Sequence, residues 1–184
     1  MTRAVKQRTP WWSRNAAMLR FVGTFALILI SFYAITATPW FRKQFFPAYL
    51  RGNASVAAWT LRALGEDAWA HDTFIVSPRG ALVIKRGCDG IEPLALLIAG
   101  IFAFPAPWRA RLAGACIGGA ALQALNIVRI DSLHYVQALD PQTFQTIHVD
   151  VWQTGFVICV LLIWIIWAWR ITRAKTRTPA DERV

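Results

Sequence analysis

Two apolar runs, FVGTFALILISFYAITATPW (Phe21 to Trp40) and VWQTGFVICVLLIWIIWAWR (Val151 to Arg170), set the first constraint on the fold. Each matches the length of about 20 residues that carries a helix through the hydrocarbon core of a bilayer. Neither contains Lys, Arg, Asp or Glu before Arg170. In lipid a backbone must satisfy its own hydrogen bonds, so runs of this kind become helices. With 56% hydrophobic residues, ten tryptophans and 16% charged residues in 184 positions, the chain reads as a membrane protein. A cleaved signal peptide is the competing reading of the first run. The basic lead-in of about 20 residues is long for one, which favours an uncleaved first helix.

Two further apolar runs lie between these. One begins at Cys88 and ends at FPAPWRAR, where Pro105 and Pro107 break a helix; at about 17 residues it is near the lower limit for spanning. The other, RLAGACIGGAALQALNIVRI (Arg111 to Ile130), carries Gly114 and Gly118 in Gly-x-x-x-Gly spacing with Gly119 beside them, a face suited to close helix packing. The first 20 residues hold five basic side chains and no acid; Arg109 and Arg111 occupy the short loop, and five more basic residues follow from Arg170 onward. By the positive-inside rule those three segments face the cytoplasm. Eight of the ten acids then fall on or near the outer side.

The segment before Cys88 differs in character. Asn53 to Gly65 reads as a short amphipathic helix with a glycine stop, and two β-branched runs around Ser77-Pro78-Arg79-Gly80 read as a small hairpin. The expected fold is therefore an all-α membrane protein of about four transmembrane helices, N and C termini cytoplasmic. A short outer-face amphipathic helix and a small β-hairpin precede the second span. The expected boundaries are a basic cytoplasmic N-terminus (1–20), an integral membrane domain (21–170) and a basic cytoplasmic tail (171–184).

The net charge of +10 gathers at the ends of apolar runs, so membrane lipids, and not nucleic acid, are the expected partners of the basic residues. Three cysteines without a Cys-x-x-Cys pair and three scattered histidines give no disulfide framework and no ligand box. No metal or cofactor is expected.

On this topology three helix ends meet at one membrane face. Cys88 opens the second span, Arg129 ends the third and His148 stands before the fourth. A thiol in apolar surroundings needs a base or a cation to become a nucleophile. The imidazole supplies the one, and the guanidinium stabilises a thiolate or the oxyanion of a tetrahedral intermediate. The set suggests acyl transfer. Each member also has an ordinary reading: Cys116 and Cys159 fit packing residues, Arg129 fits an interfacial side chain reaching headgroups, and His134 and His148 fit loop residues. Asn126, one helical turn before Arg129, extends the polar face inward. Asp89 and Glu92 read as supporting carboxylates that orient the imidazole or hold Arg129, with Glu92 one turn below Cys88 on the same side.

RGCDGIEPLALLIAGIFAFPAPWR, LQALNIVRIDSLHY and HVDVWQTGFVICVLLIWIIW together resemble the exosortase/archaeosortase family, most closely the compact exosortase H type. The likeness covers roughly the last 110 residues before the basic tail. It implies an integral membrane cysteine protease or transpeptidase of the cell inner membrane, its active site facing the periplasm or outside. The implied substrates are exported proteins bearing a C-terminal sorting signal of short motif, transmembrane helix and basic cluster. On the matching positions Cys88 would be the nucleophile, Arg129 the family's arginine, His148 the base, and Asn126 part of the arginine motif. The chain departs from many exosortases at Asp89, where Ser is usual, and at Trp152, where Gly follows the histidine motif. Two alternatives come from other classes: an aspartic-type signal peptidase using Asp89 and Asp150, and a non-enzymatic transporter or scaffold with Arg129 and Glu92 lining a polar path.

Overall fold

The computed structural model describes residues 15–177. Residues 1–14 of the expected basic N-terminus (1–20) lie outside the described residues, as does the end of the tail from 178 onward, and the first helix begins within that N-terminal segment, at Ala16. The chain is mostly helical, with one small sheet. In order it forms α1 (Ala16–Ala37), a π-helical segment π1 (Phe41–Phe45), α2 (Phe46–Ala63), β1 (Trp69–His71), β2 (Phe74–Ser77) and β3 (Gly80–Val83). Then follow α3 (Ile91–Ala103), α4 (Trp108–Leu139), α5 (Pro141–Thr146), a second π-helical segment π2 (Ile147–Gln153) and α6 (Thr154–Arg177).

Three helices among the described residues are long and apolar enough to cross a membrane: Ala16–Ala37, Trp108–Leu139 and Gln142–Ala174. The run after Cys88 yields only Ile91–Ala103, 13 residues. At about 1.5 Å per residue it covers about 20 Å, short of a hydrocarbon core about 30 Å thick. It starts three residues later than its apolar run because Gly87 and Gly90, with φ of 94° and 73°, hold Cys88 in a turn. The third helix differs in the other direction, running to Leu139 where a stop near Ile130 was expected. Polar residues alone do not end a helix, and no Gly or Pro interrupts the stretch from Ala120 to Leu139. Pro141 does: the helix stops at Leu139, and Asp140 caps the next one by accepting from the N–H groups of Gln142 and Thr143 at 3.1 and 3.3 Å. As a result Asp131 and His134 are helical and buried, not loop residues. His134 Nε2 lies 3.1 Å from Ser77 Oγ, tying α4 to the sheet.

The expected hairpin is present and gains a strand. β1, β2 and β3 form an antiparallel sheet in that order, with Trp69 paired to Val76 and Phe74 to Val83. The amphipathic helix is longer than Asn53–Gly65 and starts at Phe46. Its Leu50, Ala54, Ala57, Ala58 and Leu61 are spaced by helical turns and bury one face against Ile75, Leu82 and Ile84 of the sheet region and Ile130 and Leu133 of α4.

A second core lies among the apolar helices: Leu97 and Ile101 of α3, Leu122 of α4, and Phe156 and Val160 of α6. The glycine face of α4 belongs to this packing. A Cβ at Gly118 would stand 2.9 Å from Leu97 Cδ2 and 3.1 Å from Ile163 Cγ2, and one at Gly114 would collide with the Trp167 indole. The small residues let α3 and α6 of this same chain approach closely.

Candidate active site

The turn from Lys85 to Gly90 carries Cys88 between the sheet and α3. Asp89 builds that turn. Its side chain is 2% exposed, Oδ2 accepts from the Gly87 N–H at 2.9 Å, and Oδ1 accepts from the Ile91 N–H, the first of α3, at 2.9 Å. A carboxylate here satisfies two donors that a tight turn and a helix start would otherwise leave unpaired. Gly90 needs its positive φ, and its missing side chain admits Asn126: a Cβ would lie 3.0 Å from Asn126 Cγ. Asn126 is fully buried against this turn, and neither amide atom of its side chain has a hydrogen-bond partner in the described residues. From the other side the Tyr49 hydroxyl of α2 donates to the Asp89 carbonyl at 2.8 Å and lies 3.1 Å from Gln123 Oε1.

The structure brings Cys88, His148 and Arg129 together. The Cys88 sulfur lies 3.4 Å from both Nδ1 and Nε2 of His148, a residue 60 positions away. His148 belongs to π2, and its ring stacks on Phe144, with centroids 5.6 Å apart and planes within 4°. The wider π-helical turn alters the angle at which successive side chains leave the helix, a distortion frequent at functional sites. Arg129 is 2% exposed, and its guanidinium packs over the Phe156 ring, 5.3 Å from the centroid. Its Nη2 donates to the His148 carbonyl at 3.4 Å, so the arginine braces the backbone that carries the imidazole. Burial pushes the Cys88 thiol above its ordinary pKa, and the nearby Arg129 charge pulls it partly back.

Cys88 and His148 line a cleft of about 410 Å³ between β3 with the turn after it on one side and α4 with α5 on the other. The volume falls within the range of small-ligand sites, about 300–1,000 Å³.

The acids occupy other places than expected. Asp89 forms no ion pair with Arg129 and no hydrogen bond with the imidazole, since the N–H groups of its own turn engage both its oxygens, but it lines one small cavity with Arg129 and its charge acts on the guanidinium. Glu92 is exposed and lines a separate cavity of about 110 Å³ with Arg129 and Gln153, not the cleft of Cys88. The one-turn spacing from Cys88 does not operate, because Cys88 precedes the helix. Asp150 is exposed and shares no hydrogen bond with Asp89, so these two carboxyls do not form a proton-sharing pair. No group of three or more His, Cys, Asp or Glu suited to a metal ion occurs among the described residues. Cys116 and Cys159 lie within helices, away from the cleft. Tyr49, Phe144 and Phe156, which hold the site together, carry no signal in the sequence, since their contacts depend on distant segments or on the π-turn.

Comparison with known proteins bears on this arrangement. The family model described as transmembrane exosortase (exosortase EpsH) matches residues 11–168, which takes in the Cys88 turn, α4 and the His148 segment. No curated protein and no solved structure gives a significant match. With most of its length covered, including every part of the site, the chain belongs to the transmembrane exosortase family.

Proposed function

We propose that the protein is a cysteine-type membrane endopeptidase or transpeptidase that cleaves sorting signals of exported proteins, with Cys88 as nucleophile, His148 as base and Arg129 as the stabilising cation. One observation carries the reading: a thiol and an imidazole 60 residues apart meet at 3.4 Å in the lining of a cleft. Family membership adds the substrate class, exported proteins with a C-terminal signal. The domain limits 21–170, cytoplasmic termini and an active site on the outer face of the inner membrane belong to the same proposal. Support for them comes from the distribution of basic residues.

In the resting site both partners are neutral. As the sulfur attacks the substrate carbonyl, its proton passes to the His148 imidazole, so a free thiolate never has to persist in the buried turn. The negative charge moves to the carbonyl oxygen, where the Arg129 guanidinium favours it. Collapse of this intermediate breaks the C–N bond. His148 returns the proton to the leaving amine and a thioester on Cys88 remains. Water or an acceptor amine, deprotonated by the same imidazole, then releases the acyl group.

Thiol alkylation tests the assignment. In a Cys116→Ala, Cys159→Ala protein the remaining thiol is Cys88, and iodoacetamide is expected to abolish processing in step with its modification. Full activity after complete alkylation would overturn the assignment of Cys88 as nucleophile. The pH dependence follows from the charges. Alkylation needs thiolate, so its rate rises with pH through the elevated pKa of Cys88. Removing the cation raises that pKa further, so Arg129→Met moves the alkylation curve to higher pH and slows the reaction at neutral pH by about three- to tenfold. An unmoved curve would show that Arg129 does not act on the thiol.

A further inference from the structure

The chemistry above leaves one side of the sheet unused. Among the described residues β3 pairs with β2 alone and is an edge strand. The Ile84 N–H donates to the Thr73 carbonyl at 2.9 Å, continuing the ladder one pair past Phe74 and Val83. Hydrogen-bonded and non-bonded pairs alternate along an antiparallel ladder. Leu82 and Ile84 therefore direct their backbone groups toward β2, and Ala81 and Val83 direct theirs away from it. The position of Gln137 agrees: from α4 its Nε2 donates to the outward Ala81 carbonyl at 3.3 Å. The cleft runs along this edge. Its lining takes in the unbroken stretch Ala81 to Arg86 together with Cys88 and His148.

We propose that an extended segment of the substrate polypeptide docks along β3 as a fourth strand, bonding to the main chain of Ala81 and Val83, and so brings a peptide bond to the Cys88 sulfur. The inference rests on the cysteine-protease reading and deepens it by stating how the substrate is held. Exposed sheet edges are commonly blunted by proline, bulges or charge. The β3 edge has none of these within the strand, and the basic pair Lys85 and Arg86 comes only after it. Strand addition provides main-chain hydrogen bonds for affinity and leaves alternate side chains to be sorted by pockets. Here Ile130, Leu133 and Phe144 form apolar parts of the lining. The preferred occupant is thus an extended polypeptide with apolar side chains at alternate positions.

Peptide-directed alkylation of the full-length Cys116→Ala, Cys159→Ala protein in membranes provides the test. The probe is acetyl-Val-Ala-Val-Ala chloromethyl ketone: the Cys88 thiolate forms a C–S bond at the methylene carbon, the C–Cl bond breaks, and chloride leaves. Two N-methylated versions carry methyl groups on alternate amides in one phase or the other, and iodoacetamide serves as the small control. N-methylation in the phase facing β3 is expected to slow labelling of Cys88 by about tenfold, and in the opposite phase by less than about twofold, since one or two hydrogen bonds are lost only in the first. Equal effects in both phases, or none, would overturn the proposal.

Val83→Pro gives the matching change in the protein. Proline is tolerated at a strand edge where its nitrogen faces away from the ladder, and this variant is expected to cut labelling by the unmethylated peptide reagent by about tenfold with the iodoacetamide rate unchanged. An unchanged peptide rate would overturn the proposal. A labelling rate that falls as protein concentration rises would show a second copy on the edge, and would overturn it too. These rates read docking and not turnover. The loss of the protease reading would instead appear as processing that survives complete alkylation of Cys88.

Discussion

Replacing His148 by alanine is expected to lower processing by about 10²–10⁴-fold, with the protein still present in the membrane at its normal level. The size follows from what the imidazole does. Burial holds the Cys88 thiol above its ordinary pKa, so at neutral pH it is protonated and weakly nucleophilic. The proposed base, His148, lies 3.4 Å away, and no other imidazole lines the cleft. His148 contributes little to packing beyond its stacking on Phe144, so its loss trims one partly buried ring contact, worth about 0.5–1.5 kcal/mol. A thousandfold loss of rate corresponds to about 4 kcal/mol in the barrier. The two effects separate cleanly in a measurement of rate and abundance together. Added imidazole should restore part of the activity of His148→Ala, since the vacated space adjoins the cleft. A variant within about threefold of wild type would remove His148 from the role of base.

The features easiest to read in the sequence were those that depend on length and periodicity. The first and last apolar runs are helices at nearly the predicted places, and the amphipathic stretch around Asn53 to Gly65 is the buried-face helix α2. The glycines at Gly114 and Gly118 do mark a close approach, although the partners are helices of the same chain. Where a decision rested on polarity, the sequence was ambiguous. The third apolar run reads as ending at Arg129 and Ile130, yet the helix continues to Leu139, because only Pro141 forbids it. That extension keeps Asn126, Arg129 and His134 on one rigid element.

The proposed site residues Cys88, Arg129 and His148 are legible in the sequence as helix-end neighbours, and the structure places the thiol 3.4 Å from the imidazole and the guanidinium 3.4 Å from the His148 carbonyl. The carboxylates were not. Asp89 reads in the sequence as a partner for a cation; in the turn this short acid beside two glycines accepts from its neighbours' N–H groups, and it acts on Arg129 through charge and not through an ion pair. Glu92 was placed by a helical spacing that starts only after Cys88. The π-turn that carries His148, and the Tyr49 hydroxyl that holds the Asp89 carbonyl from 40 residues away, depend on tertiary packing and leave no periodic trace.

The second large effect belongs to Cys88 itself. Cys88→Ala removes the proposed nucleophile, and no neighbouring side chain replaces it: Cys116 and Cys159 are in other parts of the helices, and both Asp89 oxygens are engaged. Activity is expected to fall below about one ten-thousandth of wild type. The fold should remain, because Cys88 is only half-buried at the margin of the core that α2, the sheet and α4 form, and the turn is held by Asp89, Gly90 and Asn126. The most direct measurement is the size of exported proteins in cells whose only copy of the enzyme is Cys88→Ala, at matched membrane levels of wild type and variant. The account predicts that full-length, uncleaved precursors accumulate; normal cleavage by a fully expressed Cys88→Ala protein would contradict it.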